Sequence, residues 1–386
     1  MPAPVPDPTS VGLVAPQNVR LFTPDHPLTL ARGGRLDHVE VVYETYGRLT
    51  PEKDNAVFIC HALTGDAHAA GFREGSDKPG WWDNLIGPGK PVDTTKFFVI
   101  CPNLLGGCQG TTGPGSVNPA TGAVYGLDFP ILDMADFVTV HRALTAHLGI
   151  DRLLAVVGGS LGGMQVLEWA LRFPADLANA VIVAASSRLT AENIAFSAVA
   201  REAIMRDPGF RGGHYAEAGT SPDMGLSIAR MMAHITYLSG EALSAKFGRE
   251  PQFDGLAPGF GVDFAVESYL HHQAEVFLDR FDALSYLYLS RVMDYFDPFA
   301  RPGATAAIAE VRPNVLACSF TTDWRFDATH SLRLVARLHG AGVPVTYRSI
   351  PSSQGHDSFL MPIPRYHDTI RAFLDRGLAV REGERR

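Results

Sequence analysis

A short glycine-rich turn at residues 158–163 constrains this chain more than any other feature. It contains Gly158-x-Ser160-x-Gly162, with an apolar segment (153–157) before it and a helix-forming segment from Met164 after it. This motif between a strand and a helix is typical of a nucleophile elbow, a turn so tight that larger neighbouring side chains would collide. The serine then lies at a helix N-terminus, where free N–H groups favour a developing anion. An ordinary βα turn with an inert serine is the alternative; the flanking strand, the helix and the extra Gly163 favour a nucleophile.

Strand-like and helix-like segments alternate along most of the chain. Continuous apolar runs predict buried strands, and the alternating segment 39–46 predicts an antiparallel edge region. The predicted strands are 39–46, 56–60, 97–101, 153–157, 180–185, 315–320 and 343–350. Helical patterns at 131–148, from the elbow to 173, at 328–338 and at 366–378 separate several of them. The sequence therefore predicts an α/β fold with a mostly parallel sheet flanked by helices.

The segment 186–300 has a different character, because helical periodicity replaces strand patterns and aromatic residues are frequent. Insertions in open α/β sheets lie beyond the carboxyl ends of the strands, where ligands bind. We therefore predict three parts: a proline-rich N-terminal lead-in (1–38), a catalytic core (39–185 and 301–386) and an inserted helical lid (186–300). The alternative for the insertion is a helical unit that only buries its own faces.

Composition excludes several classes of function. The net charge is −8 and no long basic run is present, which argues against nucleic acid as a partner. Four cysteines are too few for a disulfide framework and fit a reducing cytoplasm. The N-terminus lacks the pattern of a signal peptide, and no stretch is apolar for long enough to span a membrane. No Cys/His spacing indicates a metal site, and the adjacent His271 and His272 would point to different faces of a helix.

A serine nucleophile needs a histidine base and a carboxylate that orients it, and in this type of fold they follow in the order Ser, Asp or Glu, His. His356 is the candidate base, because it lies in a loop directly after a predicted strand, next to Gly355. The candidate acid is Asp323, just past the strand 315–320. Asp327 is the alternative acid, although it also suits the N-cap of the following helix.

The oxyanion of acyl transfer needs two backbone N–H donors. Leu161, directly after the nucleophile, supplies one, and the loop after an early strand supplies the other. The strand 56–60 leads into such a loop, which makes Leu63 the candidate second donor. A glycine-rich loop at 102–114 follows the next strand; it lacks the G-K-[ST] of a P-loop, so it is not a nucleotide-phosphate cradle of that type.

Seven segments of the chain, in order, resemble the homoserine O-acetyltransferases, which are acyltransferases of methionine biosynthesis with the α/β-hydrolase fold. The resemblance extends from about Val39 to the closing helix. The segments are HALTGDAH (61–68), GWWD (80–83), CPNLLGGCQGTTGP (101–114), GGSLGGMQVLEW (158–169), RMMAHITY (230–237), DYFD (294–297) and GHDSFL (355–360).

The resemblance implies a catalytic triad at Ser160, Asp323 and His356, in agreement with the residues chosen above. It also implies that Arg230 and Asp357 hold the amino-acid substrate. Alone, Arg230 would be interpreted as a solvated helix residue and Asp357 as a residue that structures its loop. The implied activity is transfer of an acetyl group from acetyl-CoA through acyl-Ser160 to the hydroxyl of L-homoserine, with no cofactor. We also expect a homodimer that forms through the lid.

Two departures bear on the acyl donor: Gln109 stands where the family often carries Arg, and Leu238 stands where a basic residue is frequent. A succinyl donor would bring a carboxylate that needs a cation or donors beside it. The loops 63–71, 106–113 and 160–164 contain no Lys or Arg. The sequence therefore predicts acetyl-CoA as the preferred donor. A homoserine O-succinyltransferase, a serine O-acyltransferase, an esterase and an inactive binding protein on the same fold are the alternatives.

Overall fold

A computed structural model describes residues 7–253, 255–256 and 259–384. The strands of this part of the chain are β1 (Gln17–Phe22), β2 (Leu28–Thr29), β3 (Arg35–Leu36), β4 (Val39–Tyr46), β5 (Ala56–Cys60), β6 (Ile86–Gly87), β7 (Val92–Asp93), β8 (Phe98–Pro102), β9 (Leu153–Gly159), β10 (Leu177–Val183), β11 (Asn314–Phe320) and β12 (Val345–Ile350). The helices are α1 (Met134–His147), α2 (Leu161–Arg172), α3 (Ala191–Met205), α4 (Tyr215–Ala218), α5 (Asp223–Tyr237), α6 (Gly240–Phe247), α7 (Ala265–Leu278), α8 (Ala283–Tyr295), α9 (Ala306–Val311), α10 (Ala328–Gly340) and α11 (Pro364–Glu384).

Eight strands form one sheet in the order β1-β4-β8-β5-β9-β10-β11-β12. Six strands, β8, β5, β9, β10, β11 and β12, run parallel to one another, and β4 runs antiparallel to both β1 and β8. The predicted α/β fold with a mostly parallel sheet is confirmed. Because the central strands are parallel, the loops after β5, β8, β9, β11 and β12 meet at one edge of the sheet.

Strand β1 lies inside the segment that the sequence assigns to the lead-in, 1–38. It pairs with β4 from Gln17 opposite Tyr43 to Phe22 opposite Val39. The segment 39–46 thus lies in an antiparallel edge region, as the alternation predicted, although β1 and not β4 is the outermost strand. The exposed and half-exposed side chains of β1 give it a weak strand signal of its own.

Helices cover both faces of the sheet. On one face α2 packs against β5, β9 and β10, α1 packs along α2, and α10 packs against β11 and β12. Phe137, Trp169 and Leu334 of these helices are buried among the core side chains. On the other face α11 packs against β9 and β10 and buries Tyr366 and Ile370. Continuous apolar runs such as β9 are thus explained, since every residue of that strand is buried. No helix of the described residues is both long and apolar enough to cross a membrane.

Helices α3 to α8 lie between β10 and β11, within the segment predicted as the lid (residues 186–300). Helix α3 packs along α5, and α5 packs along α7. A buried ion pair, 2.6 Å between Arg201 of α3 and Asp294 of α8, joins the first and last long helices of the segment. The buried apolar side chains of these helices, such as Ile204 and Phe277, belong to the same core cluster as those of the sheet.

Candidate active site

The turn between β9 and α2 holds Ser160 in a strained conformation. Its backbone has φ 58° and ψ −124°, a region that residues other than glycine rarely adopt. The neighbouring chain leaves no room for side chains here: a Cβ on Gly162 would lie 2.0 Å from the carbonyl oxygen of Cys60, and one on Gly158 would lie 2.4 Å from the backbone of Gly162. The glycines of the motif are therefore required sterically, as a nucleophile elbow demands.

The structure brings Ser160, His356 and Asp323 into one hydrogen-bonded row. The Ser160 Oγ lies 2.8 Å from Nε2 of His356, and Nδ1 of the same ring lies 2.8 Å from Oδ2 of Asp323. All three side chains are buried. The second oxygen of Asp323 accepts hydrogen bonds from the N–H groups of Arg325 and Phe326, at 3.0 and 2.9 Å, which fix the carboxylate. A carboxylate at Nδ1 leaves Nε2 free to accept the proton of the serine.

Asp327, the alternative acid, does not reach this row. Its carboxylate accepts from the Thr329 N–H at 2.8 Å and caps helix α10.

The position of His356 depends on Gly355, which has φ +68°. A Cβ at this position would lie 2.5 Å from the Ser239 nitrogen in the lid. A glycine before the histidine therefore lets its loop approach the lid closely.

The candidate oxyanion donor Leu63 lies on the loop after β5, and Leu161 lies at the elbow itself. A turn with a 3.0 Å hydrogen bond from the Gly65 N–H to the Ala62 carbonyl places Leu63 at its tip. Leu161 is the first residue of α2, where N–H groups lack helical acceptors. Among the described residues, neither N–H has a hydrogen-bond acceptor. Both are thus available to an oxyanion.

Comparisons with known proteins agree with this geometry. A family model described as the alpha/beta hydrolase fold matches residues 55–360. The chain is 61% identical over 365 residues to a homoserine O-succinyltransferase of Nocardioides sp., with 95% of this chain and 99% of the relative covered. It is 51% identical to a homoserine O-acetyltransferase of Caulobacter vibrioides, with 92% and 96% covered. The chain belongs to the homoserine O-acyltransferase family. The predicted resemblance to this family is confirmed.

Solved structures of similar fold include both transferases and esterases. The homoserine O-acetyltransferase from Bacillus anthracis superposes with a TM-score of 0.85 at 28% identity, covering 94% of this chain and 98% of the other. Esterase E22 superposes with a TM-score of 0.84 at 28% identity, covering 94% and 100%. The fold of the homoserine O-acyltransferase family thus also carries esterases, so the acceptor must be argued from the site.

In this member of the homoserine O-acyltransferase family, Arg230 extends from α5 toward the loop that carries Leu63. Its Nη1 lies 3.5 Å from Oγ1 of Thr64, and its guanidinium lies 4.5 Å from the centre of the Phe277 ring. Burial lowers the pKa of Arg230 below its ordinary value. The buried Nε has no hydrogen-bond partner among the described residues. A buried guanidinium with an unused donor is a favourable site for a carboxylate.

Asp357 follows the base His356 and lies near Arg230. Burial raises the pKa of its carboxyl group, while the charges of His356 and Arg230 act in the opposite direction. No hydrogen bond to its carboxylate occurs in the described part of the chain. Arg230 and Asp357 therefore provide one cation and one anion close to the triad, as an amino acid with a carboxylate and an ammonium group requires.

Two arginines near the site were not predicted from the sequence. Arg280, in the lid, donates from Nη2 to the Thr64 carbonyl at 2.8 Å and lies 3.4 Å from Asp66. Arg325 follows the acid Asp323, and its Nη1 donates to Oγ1 of Thr236 at 3.2 Å. Arg280 is separated from Thr64 by more than 200 residues, so no local pattern indicates that contact. Arg325 could have been found from the sequence, because it lies two residues after the candidate acid Asp323.

Proposed function

We propose that this chain is a homoserine O-acyltransferase that transfers an acyl group from acyl-CoA to homoserine through an acyl-Ser160 intermediate. The observation that carries the proposal is the hydrogen-bonded row of Ser160, His356 and Asp323, beside two N–H groups that have no acceptor in the described part of the chain. Relatives that are 51–61% identical over nearly their whole length bear the names of homoserine acyltransferases, which supports the choice of acceptor.

In the first step, His356 Nε2 takes the proton of Ser160, and Oγ attacks the thioester carbonyl carbon. The N–H groups of Leu63 and Leu161 stabilise the oxyanion, a contribution of about 3 kcal/mol for each donor. The carbon–sulfur bond then breaks, the CoA sulfur takes the proton from His356, and the acyl group remains on Ser160. In the second step the homoserine hydroxyl gives its proton to His356 and attacks the ester, and Ser160 leaves with a proton returned by His356.

Free-thiol release from acyl-CoA, measured with and without homoserine, tests this proposal. We expect homoserine to accelerate steady-state thiol release, with O-acylhomoserine as the product identified by mass spectrometry. An esterase would release thiol or cleave esters at a rate independent of homoserine. An inactive binding protein would release none.

Arg230 and Asp357 are proposed to hold the homoserine carboxylate and ammonium. We expect Arg230→Ala to raise the KM for homoserine roughly 10- to 100-fold, because a charged hydrogen bond is worth about 1.5–3 kcal/mol. The pre-steady-state burst of thiol should stay nearly intact. Arg206→Ala, which removes an exposed arginine of the lid, is the control. Loss of the burst with an unchanged homoserine KM would instead assign Arg230 to the acyl-CoA side.

The relatives leave the acyl donor open, because both succinyltransferases and acetyltransferases of homoserine occur among them. The sequence-based preference for acetyl-CoA depends on the lack of Lys and Arg in three loops. In the structure two arginines from other segments approach the site. Arg280 shares its charge with Asp66. The Arg325 guanidinium donates to the Thr236 hydroxyl and lies 5.9 Å from the centre of the Phe326 ring, and it has no carboxylate partner among the described residues.

We therefore propose succinyl-CoA as the donor, with Arg325 as the counter-charge of its distal carboxylate. Thr236, its partner, precedes Tyr237, and the Tyr237 ring centre lies 6.1 Å from that of His356, so the end of helix α5 that holds the Arg325 guanidinium also contacts the base. Homoserine brings one carboxylate, for which Arg230 suffices. An acetyl donor leaves the charge of Arg325 unused.

Side-by-side kinetics with the two thioesters at saturating homoserine test the donor. We expect kcat/KM for succinyl-CoA to exceed that for acetyl-CoA by about tenfold or more, which corresponds to about 1.4 kcal/mol in the transition state. Arg325→Leu should reduce or reverse this preference through the succinyl value alone, and Arg280→Leu is the matched control. A preference for acetyl-CoA in the unmodified protein would contradict this proposal and support the acetyl donor predicted from the sequence.

The homodimer is still a prediction. An apolar surface on the lid supports it, and we propose it here. Helices α3 and α5 expose large apolar side chains that no other described element covers: Val199, Met205, Met224, Ile228 and Ile235. Such a surface on neighbouring helices is typical of an interface between subunits.

We expect light scattering to give twice the mass of one chain, and we expect the variant Ile228→Glu to be a monomer. Leu332→Glu, on exposed α10, should remain dimeric; a monomeric unmodified protein would contradict the proposal.

The cytoplasmic location and the lack of a cofactor also stay predictions. Every step written above uses only groups of the chain and its substrates.

A further inference from the structure

A single buried side-chain amide links the two elements that carry the oxyanion donors, the loop after β5 and helix α2. Gln165 lies on α2, one helical turn after Leu161, and is fully buried. Its Nε2 donates to the His61 carbonyl at 3.1 Å and to the Leu161 carbonyl at 3.3 Å. His61 begins the loop that leads to Leu63. One side chain thus touches the backbone of both elements that frame the oxyanion.

The orientation of this amide is fixed by a second buried residue. His141 of α1 contacts Oε1 of Gln165 through Nε2 at 2.9 Å, and its ring packs against both Phe58 and Trp169. Burial lowers the pKa of His141 to about 4, so the ring is neutral at working pH and carries one N–H. Because the amide oxygen only accepts, Nε2 of His141 must be the donor. The amide nitrogen of Gln165 is then turned toward the two carbonyls.

The loop that carries Leu63 is held from its other side by the His61 ring. Leu104, in the loop after β8, donates its N–H to Nε2 of His61 at 3.1 Å, so Nδ1 carries the proton. Nδ1 lies 2.7 Å from the Ala62 carbonyl, the same oxygen that accepts from Gly65 in the turn. Arg230 and Arg280 also hold this loop, at Thr64. Among the described residues, the side-chain hydrogen bond that connects the loop to the elbow helix is the one from Gln165.

We propose that Gln165 is a positioning residue that sets the distance between the Leu63 and Leu161 N–H donors, and that His141 holds its amide in the required orientation. The two donors belong to different elements, the loop after β5 and the first turn of α2. Oxyanion stabilisation depends on donors placed within a few tenths of an ångström of the developing charge. A link shared by both elements keeps them from moving independently.

The proposal rests on the acyl-transfer chemistry proposed above, but its test needs neither homoserine nor CoA. A fluorophosphonate probe reacts with Ser160 through a charged transition state that uses the same two donors. We expect Gln165→Met, which keeps the length of the side chain and removes the amide, to slow this labelling roughly 10- to 100-fold. The pH profile of labelling should keep its midpoint, since the triad is untouched, while its plateau falls. Gln17→Met, at the exposed sheet edge, is the control.

His141→Phe keeps the aromatic packing and removes only the hydrogen bond to Gln165, so it decides the question if Gln165→Met does not fold. We expect a smaller loss for it, about three- to tenfold. Folded variants, with unaltered circular dichroism and melting temperature, that label Ser160 at the unmodified rate would overturn the proposal. Slower labelling in a chain that does not acylate homoserine would support Gln165 and refute only the proposed function.

Discussion

Ser160→Ala is expected to abolish acyl transfer while the fold is retained. Intact-mass spectrometry of the unmodified chain with acyl-CoA alone should show one added acyl group, mapped to Ser160, and the variant should show none. We expect kcat to fall by at least about 10⁴-fold, because the oxyanion donors and binding alone give only residual catalysis. The alanine also fits the strained backbone no worse than serine, so stability should change little.

Ser197→Ala is the matched control, since Ser197 and Ser160 are both 7% exposed but Ser197 lies on α3 of the lid. It should acylate at the normal rate. An acyl group mapped to another residue, or near-normal turnover in Ser160→Ala, would remove Ser160 from the mechanism.

Asp323→Asn is expected to lower kcat by about 10³- to 10⁴-fold at neutral pH, the second-largest effect we predict. The amide has only one oxygen, and the N–H groups of Arg325 and Phe326 require it. The NH₂ group must then face Nδ1 of His356, which forces the proton onto Nε2. A ring with a proton at Nε2 cannot accept the proton of Ser160.

Steady-state kinetics and fluorophosphonate labelling both measure this loss. Asp327→Asn is the control, because asparagine is as good an N-cap as aspartate and Asp327 lies outside the triad. Loss of activity in Asp327→Asn, with near-normal activity in Asp323→Asn, would show that Asp327 and not Asp323 is the acid of the triad.

Most of the core was predictable from the sequence because its strands are buried on both faces. Continuous apolar runs such as Ala56–Cys60 and Leu153–Gly159 leave little doubt about their place in a parallel sheet. Strand β1 was missed for the opposite reason. Its residues are exposed or half-exposed, and only its ladder with β4 makes it a strand.

The triad was predictable because its members follow the ends of strands in a fixed chain order. The groups around it were not. Arg280 reaches Thr64 from the distant turn between α7 and α8, and Gln165 contacts His61 and His141 in a way that no local pattern encodes. Contacts across 24 to more than 200 residues depend on how the elements pack, which a single sequence does not specify.

The insertion of the lid has a consequence for how activity arises during synthesis. Strands β10 and β11 are neighbours, with Asn179 opposite Asn314, yet about 130 residues separate them in the chain. Closing an unstructured connection of that length costs about 4 kcal/mol in chain entropy, which the lid helices reduce by folding on themselves. Ser160 leaves the ribosome before the lid, and Asp323 and His356 leave after it. A growing chain therefore carries its nucleophile without a base, and it cannot consume thioesters until its last third has joined the sheet.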